Sequence, residues 1–254
     1  MRLRLYILLS FLAVVSASAR PAAAWSPSVQ LTIGREAGRL APPDLARQIE
    51  RHQKAFEAGL VAPFSDPDPG KHFKNPDGSG SLDRAFAKEV DGAILAIRTH
   101  QPFEEVVRRL GMVAHWVSDA NDPLASSADD AEEGRYAADY PRYAETAEVR
   151  FPLVFYGFQR RRDASSIVTD ALRRGREVYP TLGLEYRRIG FASGVGRFDD
   201  RSSAFGVTSV AFSHAVTDIA EALRYIWLSA GGADSRSGLP GPGDRVLLLP
   251  RRAR

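Results

Sequence analysis

The chain has 254 residues, 44% hydrophobic and 26% charged, a composition that suits one globular core and excludes a low-complexity chain. It has no cysteine, so disulfides and thiolate chemistry are excluded, and any metal must be held by His, Asp, Glu or backbone groups. The formal charge of +3 disappears without Arg2, Arg4 and Arg20, which leaves 31 bases against 31 acids and gives no support to a polyanion-binding surface.

In chain order, Arg2 and Arg4 precede an apolar run over residues 5–16 and the small residues Ala22, Ala23 and Ala24. This is the pattern of a cleavable export signal over residues 1–24, with a second possible cut after Ala19. The apolar run falls short of the ~20 residues that a membrane-spanning helix needs. A product outside the cytoplasm, secreted or periplasmic and beginning at Trp25, is expected. Residues 31–40 read as a helical entry turn. Pro42 and Pro43 open a helix to about residue 56, since proline is harmless at the first helical positions. Residues 62–81 carry Pro63, Pro67, Pro69, Gly70, Pro76, Gly78 and Gly80 and read as loop. Apolar residues at helical spacing predict helices over 82–99 and 102–121. A polar loop over 126–134 leads to expected helices over 140–159, 165–179 and 203–230, the last stopped by Gly231 and Gly232. Residues 233–254, rich in Gly, Pro and Arg, read as a disordered tail. The arginines within 160–162 and 173–176 read as solvated helix faces. The expected fold class is all-α, a single multi-helix domain over residues 25–232.

Three places can do chemistry. His115 and Asp119 are four apart in a predicted helix, so both leave one face and can share a cation. They lie opposite the stripe of Val106, Leu110, Val113 and Val117, which suits a polar cleft or open solvent. The loop from Asp66 through Asp68 to His72 offers an imidazole beside carboxylates on a chain stiffened by proline. A free amino group on Trp25, with its own carbonyl oxygen, can chelate a metal. Of the other histidines, His52 and His100 read as surface or helix-end residues and His214 as a packed one.

Together these segments resemble the zinc-dependent phospholipases C and their relatives, the single-strand-specific nucleases. The resemblance runs from Trp25 to about Glu145. It rests on Trp25 after three alanines, on His72-Phe73 before Asn75-Pro76-Asp77-Gly78, and on Leu110-Gly111 with His115-Trp116, Asp119 and Asp122-Pro123-Leu124. It implies an exported all-helical phosphodiesterase whose catalytic zinc is bound by His72, His115, Asp119 and an upstream carboxylate, Asp66 or alternatively Asp68. It also implies a zinc shared between Asp119 and Trp25, and a further carboxylate ligand at Glu145. Against the family pattern, Gln30, Ala125 and Pro141 stand where histidine ligands are expected. One zinc is therefore expected where the family holds up to three. Two readings stand: a zinc-dependent hydrolase of a phosphodiester substrate, phospholipid or nucleic acid, or a non-catalytic scaffold that keeps the fold and at most one structural zinc.

Overall fold

The computed structural model describes residues 25–127, 130–159, 163–233 and 246–250. The leader expected over 1–24, arginines 160–162 and most of the expected tail lie outside these residues.

The protein is all-α apart from one small ribbon of two strands. Helix α1 (Pro27–Gly38) starts where Ser26 caps the Val29 amide and Pro27 takes the first turn. It is three turns long, not the short entry turn expected, because Val29, Ile33 and Ala37 form a fully buried stripe. The helix expected over 42–56 divides at His52 into α2 (Pro43–Arg51) and α3 (Gln53–Val61). Helices α4 (Leu82–Arg98) and α5 (Phe103–Ala120) match the sequence reading to within a residue or two, and Glu104 and Glu105 favour the α5 start through the helix dipole.

Helix α6 (Tyr140–Ala147) is far shorter than expected. The chain leaves the helical course at Phe151 because a residue before proline is driven into extended conformation, and strand β1 (Leu153–Phe155) follows Pro152. Helix α7 (Ala164–Arg188) instead runs longer than expected, straight through Pro180. A proline there forfeits a helical hydrogen bond and costs about 3 kcal/mol. Burial of Tyr179, Leu182 and Tyr186 on either side of it outweighs that loss. Helix α8 (Ser203–Ser229) is capped by Ser202 and buried over most of its length. Part of the expected disordered tail is ordered: β2 (Leu247–Leu249) pairs antiparallel with β1, Val154 opposite Leu248.

Helices α5 and α8 cross the centre, and α1, α7 and β1 pack on α8. One edge of β1 is held by α8 itself. Ser213 and Thr217, one helical turn apart, accept the amides of Val154 and Tyr156 at 3.1 and 3.2 Å, and Glu221 accepts that of Gln159 at 3.1 Å. Helices α3 and α5 make the most extensive helix pair. Their backbones nearly touch at Gly59 and Gly111: a Cβ on Gly59 would lie 1.9 Å from the Arg108 carbonyl oxygen, and one on Gly111 would lie 2.1 Å from that of Phe56. No helix among the described residues is long and apolar enough to cross a membrane.

Candidate metal centre

Helix α5 delivers two of the candidate ligands. From Val113 to Ala120 it is buried on every side, and His115 and Asp119 are fully buried. The pair expected to face a cleft or solvent thus lies inside the protein. The close approach of α3 places the Leu60 carbonyl 2.8 Å from His115 Nδ1. A carbonyl only accepts, so Nδ1 carries a proton and Nε2 is the nitrogen that faces Asp119.

His72 arrives from the other side, at the end of the 3-10 turn Pro69–His72 that Asp68 caps through the Gly70 amide. Three contacts fix the segment that follows. The Lys74 amide donates to the Ala125 carbonyl at 2.9 Å, Lys74 bridges to Gly80, and the Leu82 amide donates to the Phe73 carbonyl at 3.3 Å. Gly80 has a positive φ of 82°, and a Cβ there would sit 2.2 Å from the Phe73 carbonyl oxygen, so only glycine closes this loop.

The result is a triangle of donors. His72 Nδ1 is 2.7 Å from Asp119 Oδ2, His115 Nε2 is 3.1 Å from the same oxygen, and the two ring nitrogens are 3.3 Å apart. The backbone of Pro63 also favours protonated His72 through a hydrogen bond, and His115 is anchored to backbone on the side away from the triangle. Such outer bonds select the tautomer and aim the free lone pair at a metal. Phe64 packs edge-on against His115 at 4.9 Å between ring centroids, and Trp116 lies 4.8 Å from His115 and 5.1 Å from His72.

This donor set fits zinc. With metal–ligand bonds of about 2.0–2.1 Å, the edge of a tetrahedral zinc site is about 3.3 Å; the separations of 3.1 and 3.3 Å stand close to it, and the hydrogen-bonded pair at 2.7 Å has to open for an ion to enter. His72, His115 and Asp119 form the one His/Cys/Asp/Glu group of this spacing among the described residues. Three protein ligands with a position left open is the pattern of catalytic zinc, whereas structural sites close all four.

The charges are coupled. Burial works against protonation of His72, yet the hydrogen bond and charge of Asp119 outweigh it and raise its pKa above the ordinary histidine value. Burial pushes Asp119 upward, but the charge and hydrogen bonds of the two histidines hold it below the usual carboxylate range. In the metal-free protein a proton therefore joins His72 to Asp119, and zinc must displace it. Zinc affinity should be steady at alkaline pH and fall as pH drops through the raised His72 pKa, by about tenfold per unit for one displaced proton. A chelator competition series from about pH 8 to about pH 5 measures this, and a flat profile would contradict it.

The other expected carboxylate ligands lie elsewhere. Asp66 is not part of the triangle: its Oδ2 accepts from Lys71 at 2.7 Å and its Oδ1 from the Asp68 amide at 3.0 Å. Asp68, the alternative, is occupied as the cap on Gly70. Glu145 is exposed and accepts from Ser28 at 2.7 Å, so the structure does not bring it to the histidines. Trp25 is fully buried, and its indole N–H donates to the Ser118 carbonyl of α5 at 3.0 Å, which makes its ring an anchor beside the centre. Gln30, noted in the sequence only as a missing histidine, is fully buried and donates to Asp119 Oδ1 at 2.6 Å. No sequence signal pointed to the Leu60 and Pro63 carbonyls, because backbone groups leave no trace in residue identity.

No family model matches the chain, and no curated protein matches it in sequence. Solved structures match it in fold. The alpha toxin from Clostridium absonum gives a TM-score of 0.63 at 15% identity, covering 85% of this chain and 66% of that one. An alpha toxin of Clostridium perfringens from an avian strain gives 0.62 at 11% identity, covering 84% and 66%. The chain has the fold of the clostridial alpha toxins. It spans about two thirds of their length.

Proposed function

We propose that this chain is an exported zinc-dependent phosphodiester hydrolase of the phospholipase C type, working with a single zinc at His72, His115 and Asp119. The observation that supports it is the convergence of two imidazoles and one carboxylate, all buried, from segments 43 residues apart. Zinc bound there would supply Lewis acidity to a phosphoryl oxygen and make water more acidic. The chain's own part is positioning. Leu60 and Pro63 hold the imidazoles, and Phe64 and Trp116 shield them from bulk water. Lys71 sets a cation on the same turn as His72, paired with Asp66, and the fourth position of the zinc is left for water or substrate. The signal pattern over residues 1–24 supports export. Phospholipid is the favoured substrate over nucleic acid, because residues 25–254 carry balanced formal charge.

The test is zinc content of the purified protein, followed by hydrolysis of bis(p-nitrophenyl) phosphate, phosphatidylcholine vesicles and single-stranded DNA, each with and without a chelator. We expect one zinc per chain and cleavage of the generic diester and the vesicles, both abolished by chelation and restored by added zinc. Bound zinc with no turnover on any of the three would support the scaffold reading instead. Preferential cleavage of DNA would overturn the substrate assignment.

A further inference from the structure

Asp119 has two oxygens, and the structure treats them differently. Oδ2 faces both histidines, while Oδ1 accepts from Gln30 Nε2 at 2.6 Å. Both residues are fully buried, so no water competes for that bond. The orientation of the amide follows from chemistry, since an amide oxygen at that distance from a carboxylate oxygen would be repelled. The other end of the amide, Oε1, is buried with no hydrogen-bond partner among the described residues. A buried acceptor left unpaired is destabilising. Gln30 thus leaves its oxygen unsatisfied while its N–H holds the carboxylate.

We propose that Gln30 is the positioning residue that makes this a one-ion centre. Its N–H engages Oδ1, so Asp119 turns Oδ2 to an ion between His72 and His115 while a neutral donor stands at the oxygen that would otherwise bridge to a second. Gln30 brings helix α1 to the carboxylate, and the start of the helix, anchored by the Trp25 indole on Ser118, holds the amide in place. The inference rests on the zinc reading above and adds a role for a residue that touches no reacting atom.

The experiment compares wild type with Gln30→Met, which keeps the volume and removes the donor, and Gln30→Glu, which replaces the donor with a second carboxylate. Zinc stoichiometry and affinity are read by competition with a chromophoric chelator, and coordination by the visible spectrum of the cobalt-substituted protein. Wild type should take one ion and give the intense bands of four-coordinate cobalt. Gln30→Met should bind zinc about 10–100-fold more weakly, as expected when an outer partner of a ligand is lost, with bands weakened as Asp119 rotates to offer both oxygens. Gln30→Glu should take up a second, weaker ion. Unchanged affinity and spectrum in Gln30→Met would overturn the role of Gln30 and leave the zinc reading intact, whereas a wild type that binds no zinc would overturn both. If neither variant folds, the wild-type spectrum decides: weak five- or six-coordinate bands, or two ions per chain, would refute a carboxylate held to one oxygen.

Discussion

Replacing His115 by alanine is expected to leave a protein that retains no zinc through desalting and hydrolyses no phosphodiester above background. His115 Nε2 is one corner of the donor triangle, 3.1 Å from Asp119 Oδ2 and 3.3 Å from His72 Nδ1. Loss of a mere outer partner weakens metal binding about 10–100-fold, so loss of a ligand should exceed about 100-fold. Stability should fall as well. Removing one partner of a buried ion pair is destabilising by about 3–5 kcal/mol when the remaining charge is stranded. Asp119 keeps His72 and Gln30, which places the expected loss near the lower end of that range. Zinc analysis and thermal denaturation of the variant measure the two effects separately. Retention of one zinc per chain at wild-type affinity would remove His115 from the centre.

A second large effect is expected at a residue with no side chain of its own. Gly59→Ala places a methyl group 1.9 Å from the Arg108 carbonyl oxygen and 3.0 Å from Gly111 Cα, all backbone atoms that cannot rotate away. Helices α3 and α5 must separate, and overpacking of this kind is destabilising by about 3 kcal/mol or more. The separation also withdraws Leu60, the next residue, from His115 Nδ1, so zinc affinity should fall with stability. Gly206→Ala is the matched control. Gly206 lies in α8 with nothing within 4 Å of its would-be Cβ, and alanine there should be neutral or stabilising by about 0.5–1 kcal/mol. Equal melting temperatures for Gly59→Ala and wild type would show that the two backbones are not in the contact described.

The local features were legible in the sequence. Helices α4, α5 and α8 carry apolar residues at helical spacing between clear proline, serine and glycine boundaries, and they fold within a residue or two of expectation. The i, i+4 spacing of His115 and Asp119 needs only one helix to bring the two together. What escaped depends on partners distant in the chain. Nothing near Leu153 announces that Leu249 will pair with it, or that Ser213 and Thr217 will receive its neighbours' amides. Pro180 marks a helix end by local rules, and only the tertiary burial of Tyr179 and Tyr186 carries α7 past it. The burial of His115 and Asp119 was likewise invisible, since an imidazole and a carboxylate opposite an apolar stripe look solvent-bound until α3 and α1 are packed over them.

The pairing of β1 has a consequence for how chains of this protein meet one another. An extended segment with unpaired amides is a template onto which a second molecule can add, and apolar residues such as Leu153 and Phe155 make that addition favourable. Here hydroxyls projecting from a helix serve in place of a neighbouring strand on one margin, and the C-terminal strand closes the other. The seam is sealed within a single molecule. A shortened chain lacking residues 247–249 would expose an adhesive border at the moment of folding, so the distal end guards against self-association as well as completing the ribbon.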